Sequence, residues 1–190
     1  MEKLNRARSE ELLKTTTTEP HLLRHALAVS AAMGAMARHF GEDEGYWEAV
    51  GLLHDYDYEQ YPEEHLLHTE KPLLAAGVDE DSVRAIMAHG WGLCTDVEPR
   101  TNLEKSLYAV DELTGLISAT ARMRPAGIAD LEAKSVKKKF KDKAFAAKID
   151  RTVIQKGADL LGIDLGELIR ICIYGMKPYA ARLELEGTGA

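Results

Sequence analysis

Apolar residues in this chain recur at intervals of three, four and seven, and almost nowhere in strict alternation. That pattern restricts the fold to packed helices, because a helix returns to the same face every 3.6 residues and a strand every two. The clearest stripe is Leu22, Val29, Met33, Met36 and Phe40. It predicts a helix from about 20 to 40, with Thr18 as N-cap, Pro20 in the first turn and Gly41 at the stop. Similar spacings predict helices at about 4–15, 43–55, 69–76, 79–89 and 102–122. A lysine-rich stretch follows at 134–143, then helices at about 144–161 and 164–185, and Gly187 to Ala190 read as a frayed tail. No repeat and no linker interrupts the 190 residues. The expectation is a single all-α domain, a helical core over about 20–122 with a C-terminal helical extension over about 129–185.

Composition supports a globular chain. Hydrophobic residues make up 45% and charged residues 29%, which excludes a disordered or collagenous sequence. Cys94 and Cys172 match no CxxC pattern and read as free thiols. The N-terminus is charged from its second residue, and no apolar run approaches the roughly 20 residues of a membrane span. A cytoplasmic protein with no membrane partner is expected. The final helix carries Leu165, Leu168, Ile169, Ile171, Cys172 and Ile173, more apolar than one face needs. Deep packing within the chain is expected ahead of a dimer seam, and the oligomeric state stays open.

The net charge of −7 conceals two unlike parts. Residues 1–133 carry 24 acids and 12 bases, whereas residues 134–190 carry 7 acids and 12 bases. All seven histidines lie within the first 89 residues. Acids and histidines therefore share one region, and they are the residue types that ligate divalent metals. A nucleic-acid polymer is not an expected partner.

Polar residues also sit where helices should be apolar. His25 lies three residues after Leu22 and four before Val29, on the buried stripe. His54 lies four after Val50 and precedes Asp55 at a helix end. Asp111 lies four after Leu107, beside Val110. An unpaired buried carboxylate costs several kcal/mol, so Asp111 needs a cation. Lys105 and Arg122 on the same helix face elsewhere. One buried divalent ion satisfies all four groups together. Each residue alone has a blander explanation: a hydrogen-bonded core histidine, a chance His-Asp dipeptide, an aspartate paired with arginine. The joint pattern is what points to a metal.

That pattern resembles the HD-domain superfamily of metal-dependent phosphohydrolases, named for its His…His-Asp…Asp signature. The matching stretches are Leu23-Arg24-His25-Ala26-Leu27-Ala28-Val29, Gly51-Leu52-Leu53-His54-Asp55 and Val110-Asp111-Glu112-Leu113. The likeness covers roughly residues 20–120, and the whole chain looks like a bacterial branch of predicted HD-superfamily hydrolases. It implies a helical bundle in which His25, His54, Asp55 and Asp111 bind one divalent ion. Some members hold a second ion with a histidine before the next helix and others near the end of the helix after it. His68 and His89 match those positions, and Asp55 would then bridge. Gly90 stands where a second adjacent histidine is often found. His21, His39 and His65 read as surface residues.

The resemblance implies hydrolysis of a phosphate ester of a small molecule, a nucleotide among the candidates. The cofactor would be one or two divalent ions drawn from Mn, Mg, Fe, Co, Ni or Zn. Asp57 and Glu59 are candidates to position water or protonate the leaving group, and Glu59 alone matches an acid position of the family. A solvated acidic loop is the plainer account of both. Lys71 and Arg24 are candidate phosphate anchors, and the lysine-rich 134–143 stretch either lies over the pocket, attracting an anionic substrate, or is a solvated face. Two other readings stand beside the hydrolase: a metal-stabilised scaffold that binds ligand or regulates without turnover, and an oxygenase with two redox metals.

Overall fold

The computed structural model describes residues 1–188, and among these every regular element is helical apart from isolated bridges. The order is α1 (Arg6–Leu13), α2 (Pro20–Phe40), α3 (Glu44–Leu53), α4 (Glu70–Ala75), α5 (Glu80–Ala88), α6 (Asn102–Arg122), α7 (Ala133–Lys141), α8 (Arg151–Leu161) and α9 (Leu165–Met176). Short 3-10 turns occupy Pro62–Glu64 and Lys177–Tyr179. The all-α expectation holds.

Two 21-residue helices, α2 and α6, form the centre. From Ala26 to Ala37 every residue of α2 is buried. Its alanines allow α3, α6 and α9 to approach from three sides. Gly41 ends α2 in the left-handed conformation, as a glycine C′ residue does. Helix α6 starts at a capping box: Thr101 accepts from the Glu104 N–H, and Glu104 accepts from the Thr101 N–H. Leu168, Ile169, Cys172 and Met176 of α9 are buried within the chain, so its apolar excess is used in packing against α2 and α6. Burial pushes the Cys172 thiol up to about 12.

Helix α8 lies directly on α6. A Cβ at Gly157 would stand 2.6 Å from the Ala109 Cα and 2.5 Å from its Cβ. Neither atom is the free end of a flexible side chain, so helices must separate to admit it. Gly157→Ala is expected to destabilise the chain by about 1–3 kcal/mol despite the better helix propensity of alanine. Chemical denaturation measures this, and an unchanged midpoint would count against so tight a contact.

Three segments depart from the sequence expectation. The predicted 144–161 helix forms only as α8, from Arg151. Upstream, the Arg151 guanidinium donates to the carbonyls of Phe140, Asp142, Phe145, Ala146 and Ile149, replacing helical N–H donors with one side chain. The lysine-rich stretch is itself helical, as α7, with Val136 buried. The last predicted helix stops at Met176 because Pro178 lacks the N–H to continue it. Beyond it the chain returns as a strap over the α6–α7 connection. The Ile128 N–H donates to the Leu185 carbonyl at 2.9 Å, and the Thr188 N–H to the Pro125 carbonyl at 3.0 Å. Gly187 and Thr188 are therefore tied down rather than frayed, and residues 189–190 of the expected tail lie outside the described residues. Among the described residues no helix is long and apolar enough to cross a membrane.

Candidate metal centre

Each polar group of the site is delivered by the end or the buried face of a helix. His25 projects from the second turn of α2, and Asp111 from the middle of α6. His54 is the C-cap of α3, with Asp55 following, and His89 is the C-cap of α5. A helix C-terminus leaves carbonyls without intrahelical donors, and both capping histidines use them. His54 Nδ1 donates to the Gly51 carbonyl at 2.8 Å, and His89 Nδ1 to the Ile86 carbonyl at 2.6 Å. His65 follows the Pro62–Glu64 turn, and its Nδ1 donates to Asp57 Oδ1 at 2.9 Å.

Those three bonds decide what the rings present inward. A carbonyl and a carboxylate accept only, so Nδ1 carries the hydrogen in all three. In the neutral ring Nε2 is then a bare lone pair, the form that ligates a metal. His54 Nε2 lies 3.2 Å from His25 Nε2, and His65 Nε2 lies 3.1 Å from His89 Nε2. In the His65–His89 pair, two lone pairs at that distance repel unless a proton or a cation stands between them.

Carboxylates complete two adjoining groups. In the first, Asp111 Oδ1 is 2.9 Å from His25 Nε2 and 3.4 Å from His54 Nε2. Asp55 Oδ2 approaches the same two nitrogens at 3.5 and 3.3 Å. In the second, Asp55 Oδ1 faces His65 Nε2 at 3.3 Å and His89 Nε2 at 3.6 Å. Asp55 thus turns one oxygen to each group. Three sets of ligand atoms drawn from these six residues, each within 4.8 Å of one another, could hold a metal ion. His54 is 0% exposed and His89 5%, so water reaches them poorly.

Charge within the cluster follows from the same contacts. Burial opposes protonation of His54, yet the Asp55 charge and bonds to Asp111 and Asp55 hold its pKa well above the usual value. Burial likewise opposes protonation of His25, and the Asp111 hydrogen bond and charge outweigh it. Burial alone would raise Asp55 and Asp111, but the neighbouring imidazoles hold both carboxyls well below the usual range. The cluster is therefore built for positive charge. Glu112, beside it, is raised to about 7 by burial and by the Asp111 charge.

The structure brings together His25, His54, Asp55, Asp111 and His89. It does not bring His68, whose side chain is 40% exposed, donates from Nε2 to Glu64 Oε2 at 2.6 Å and stacks on Tyr61. The place given to His68 belongs to His65, expected as a surface residue. The signal that could have found it is Asp57, an acid eight residues earlier able to orient an imidazole. Asp57 is 1% exposed and fully engaged, accepting from His65, the Leu66 N–H at 3.1 Å and the His68 N–H at 3.0 Å. Those donors overcome its burial and lower its pKa. It shapes the loop and orients His65, with both oxygens already accepting and the carboxylate buried from solvent.

Glu59 is likewise committed elsewhere. Its carboxylate accepts from the Thr18 and Glu19 N–H groups at 2.7 and 3.0 Å and from the Thr18 hydroxyl at 2.8 Å. It anchors the chain entering α2, and Thr18, expected to cap that helix, donates its hydroxyl to Glu59 instead. Lys71 is exposed on α4 and lines none of the cavity beside the cluster. Arg24 points away from that cavity and pairs with Glu184 at 3.0 Å. A second histidine at Gly90 would require neighbouring side chains to shift, since a Cβ there would lie 2.5 Å from Leu66 Cδ1 and 2.6 Å from Cys94 Sγ.

The cluster opens into a cavity of about 350 Å³. Leu22, Tyr58, Leu93 and Val153 give it an apolar wall, and Val153 brings α8 of the C-terminal extension to the site. None of the lysines at 134–143 lines it. Comparison with models of known protein families, with curated proteins and with solved structures finds no match for this chain.

Proposed function

We propose that this chain is a metal-dependent phosphohydrolase of HD-domain type, cleaving a phosphate ester of a small molecule. One observation carries the reading: three imidazoles commit Nδ1 to acceptors and aim Nε2 at a carboxylate that faces two ligand groups. The donor set of nitrogen and carboxylate oxygen suits a divalent first-row ion. His25, His54, Asp55 and Asp111 would hold one ion, and Asp55, His65 and His89 a second. Ions bound there lower the pKa of coordinated water toward neutrality and offset charge on phosphoryl oxygens.

The chain's own residues do the positioning. Gly51, Ile86 and Asp57 fix three rings in the ligating tautomer. The apolar wall excludes bulk water from the ester and accommodates an uncharged moiety of the substrate. An open cavity beside the cluster favours turnover over a purely structural metal. The same donor set also fits redox metals, and His65 supplies the second group that an oxygenase would need.

Elemental analysis of purified protein, followed by hydrolysis and oxygen-uptake assays with Mn, Mg, Fe, Co and Ni, separates these readings. The expected result is one to two ions per chain and phosphate release from at least one phosphomonoester. Oxygen uptake without phosphate release would transfer the reading to an oxygenase. Retained metal with neither activity would transfer it to a scaffold, and no retained metal would sink all three.

A further inference from the structure

A second cavity, of about 300 Å³, adjoins the metal-facing one and shares His21, His25 and Gly115 with it. Its character is different. Along α6, Asp111, Gly115, Ser118 and Arg122 fall at spacings of four, three and four, on one helix face. That face runs from the metal cluster, over a residue with no side chain, to a hydroxyl and then a guanidinium. Eleven residues of helix span roughly 16 Å, and a side chain leans back toward the N-terminus, so the Arg122 guanidinium stands on the order of 10 Å from the level of Asp111.

Arg24 faces the same cavity from α2. Its Nη1 donates to Glu184 Oε1 at 3.0 Å, while its Nε is buried without a hydrogen-bond partner among the described residues. Glu184 is a non-glycine residue with φ of 53°, held between buried Leu183 and Leu185 of the C-terminal strap. The cavity is thus bordered by two guanidiniums and one carboxylate; Arg24 alone pairs with that carboxylate, and Arg122 makes no ion pair among the described residues. The helix dipole favours a cation in the last turn of α6. It does not require that the cation border a cavity continuous with the metal cluster.

We propose that this second cavity is a subsite for an anionic group, so that the substrate carries two: a phosphate ester at the metal cluster and a further oxyanion, phosphate or carboxylate, near Arg122 and Arg24. The inference rests on the hydrolase reading for the first group. Guanidinium recognises either oxyanion through paired N–H donors, and the Ser118 hydroxyl adds another.

Matched probes test it. Glucose 1,6-bisphosphate is compared with glucose 6-phosphate, and 3-phosphoglycerate with glycerol 3-phosphate, using wild type, Arg122→Gln and Arg24→Gln with manganese. Wild type is expected to prefer the doubly anionic member of at least one pair by about tenfold in kcat/KM, mainly through KM, the effect of one hydrogen bond to a charged group. Arg122→Gln should bring that ratio close to one, and the pair that responds identifies the second anion. Equal use of both members by wild type, or a preference that survives both substitutions, would overturn the subsite. If no probe is hydrolysed with any metal, the hydrolase reading fails by itself. Calorimetric binding of the doubly anionic probes then decides the subsite: about tenfold weaker binding by Arg122→Gln upholds it, and equal binding removes it.

Discussion

Asp55→Asn is expected to leave the protein folded and almost without metal. Asp55 turns an oxygen toward each ligand group, Oδ2 toward His25 and His54 and Oδ1 toward His65 and His89. The amide keeps the shape but removes the negative charge and turns one oxygen into a donor that faces imidazole nitrogens. Residues that only orient a ligand cost about 10–100-fold in metal affinity or activity, so a ligand serving both groups should cost at least about a hundredfold. Thermal unfolding gives a second readout. An ion present at a thousand times its Kd stabilises the native state by about 4 kcal/mol. For a chain of this length that is a rise in Tm of roughly 10 °C. Manganese should produce it in wild type, a chelator should reverse it, and Asp55→Asn should show neither. A variant that keeps its metal and its shift would remove Asp55 from the centre of the site.

The parts of this fold that sequence made legible are those with a local cause. Helix α6 runs from Asn102 to Arg122, matching its predicted span, because a capping box starts it and Pro125 lies shortly beyond its end. The stripe of α2 placed His25 on a buried face, and periodicity on α6 did the same for Asp111. The unread parts depend on distant partners. Nothing local says that Arg151 will gather five carbonyls and hold residues 142–150 out of a helix. The loop after Asp55 is the sharper case. It has no hydrophobic period to set its phase, and Leu66 bends it through a left-handed φ of 69°. That bend decides which of His65 and His68 turns inward. Its acids looked like reaction groups because they follow the motif. In the fold, Asp57 builds the bend and Glu59 reaches across to the start of α2.

That loop carries the other large expected effect, a reversal of roles between two histidines three residues apart. His65→Ala should remove one ion per chain and lower kcat/KM by about a hundredfold, because the second group would retain only His89 and one oxygen of Asp55. His68→Ala should change metal content not at all and activity less than twofold, since its ring is paired with Glu64 and stacked on Tyr61 away from the cluster. Asp57→Asn tests the cause beneath this. It weakens the acceptor that fixes the His65 tautomer and disturbs two backbone donors at Leu66 and His68. A buried donor left unsatisfied costs about 1–3 kcal/mol, so the variant should unfold earlier as well as bind metal more weakly. The two effects separate by titration with manganese below the unfolding range: loss of the second ion alone, with the first still bound, marks His65 as the group released. Loss of metal in His68→Ala with retention in His65→Ala would reverse the assignment. It would mean that the loop takes the other phase in solution, with Asp57 orienting a different ring.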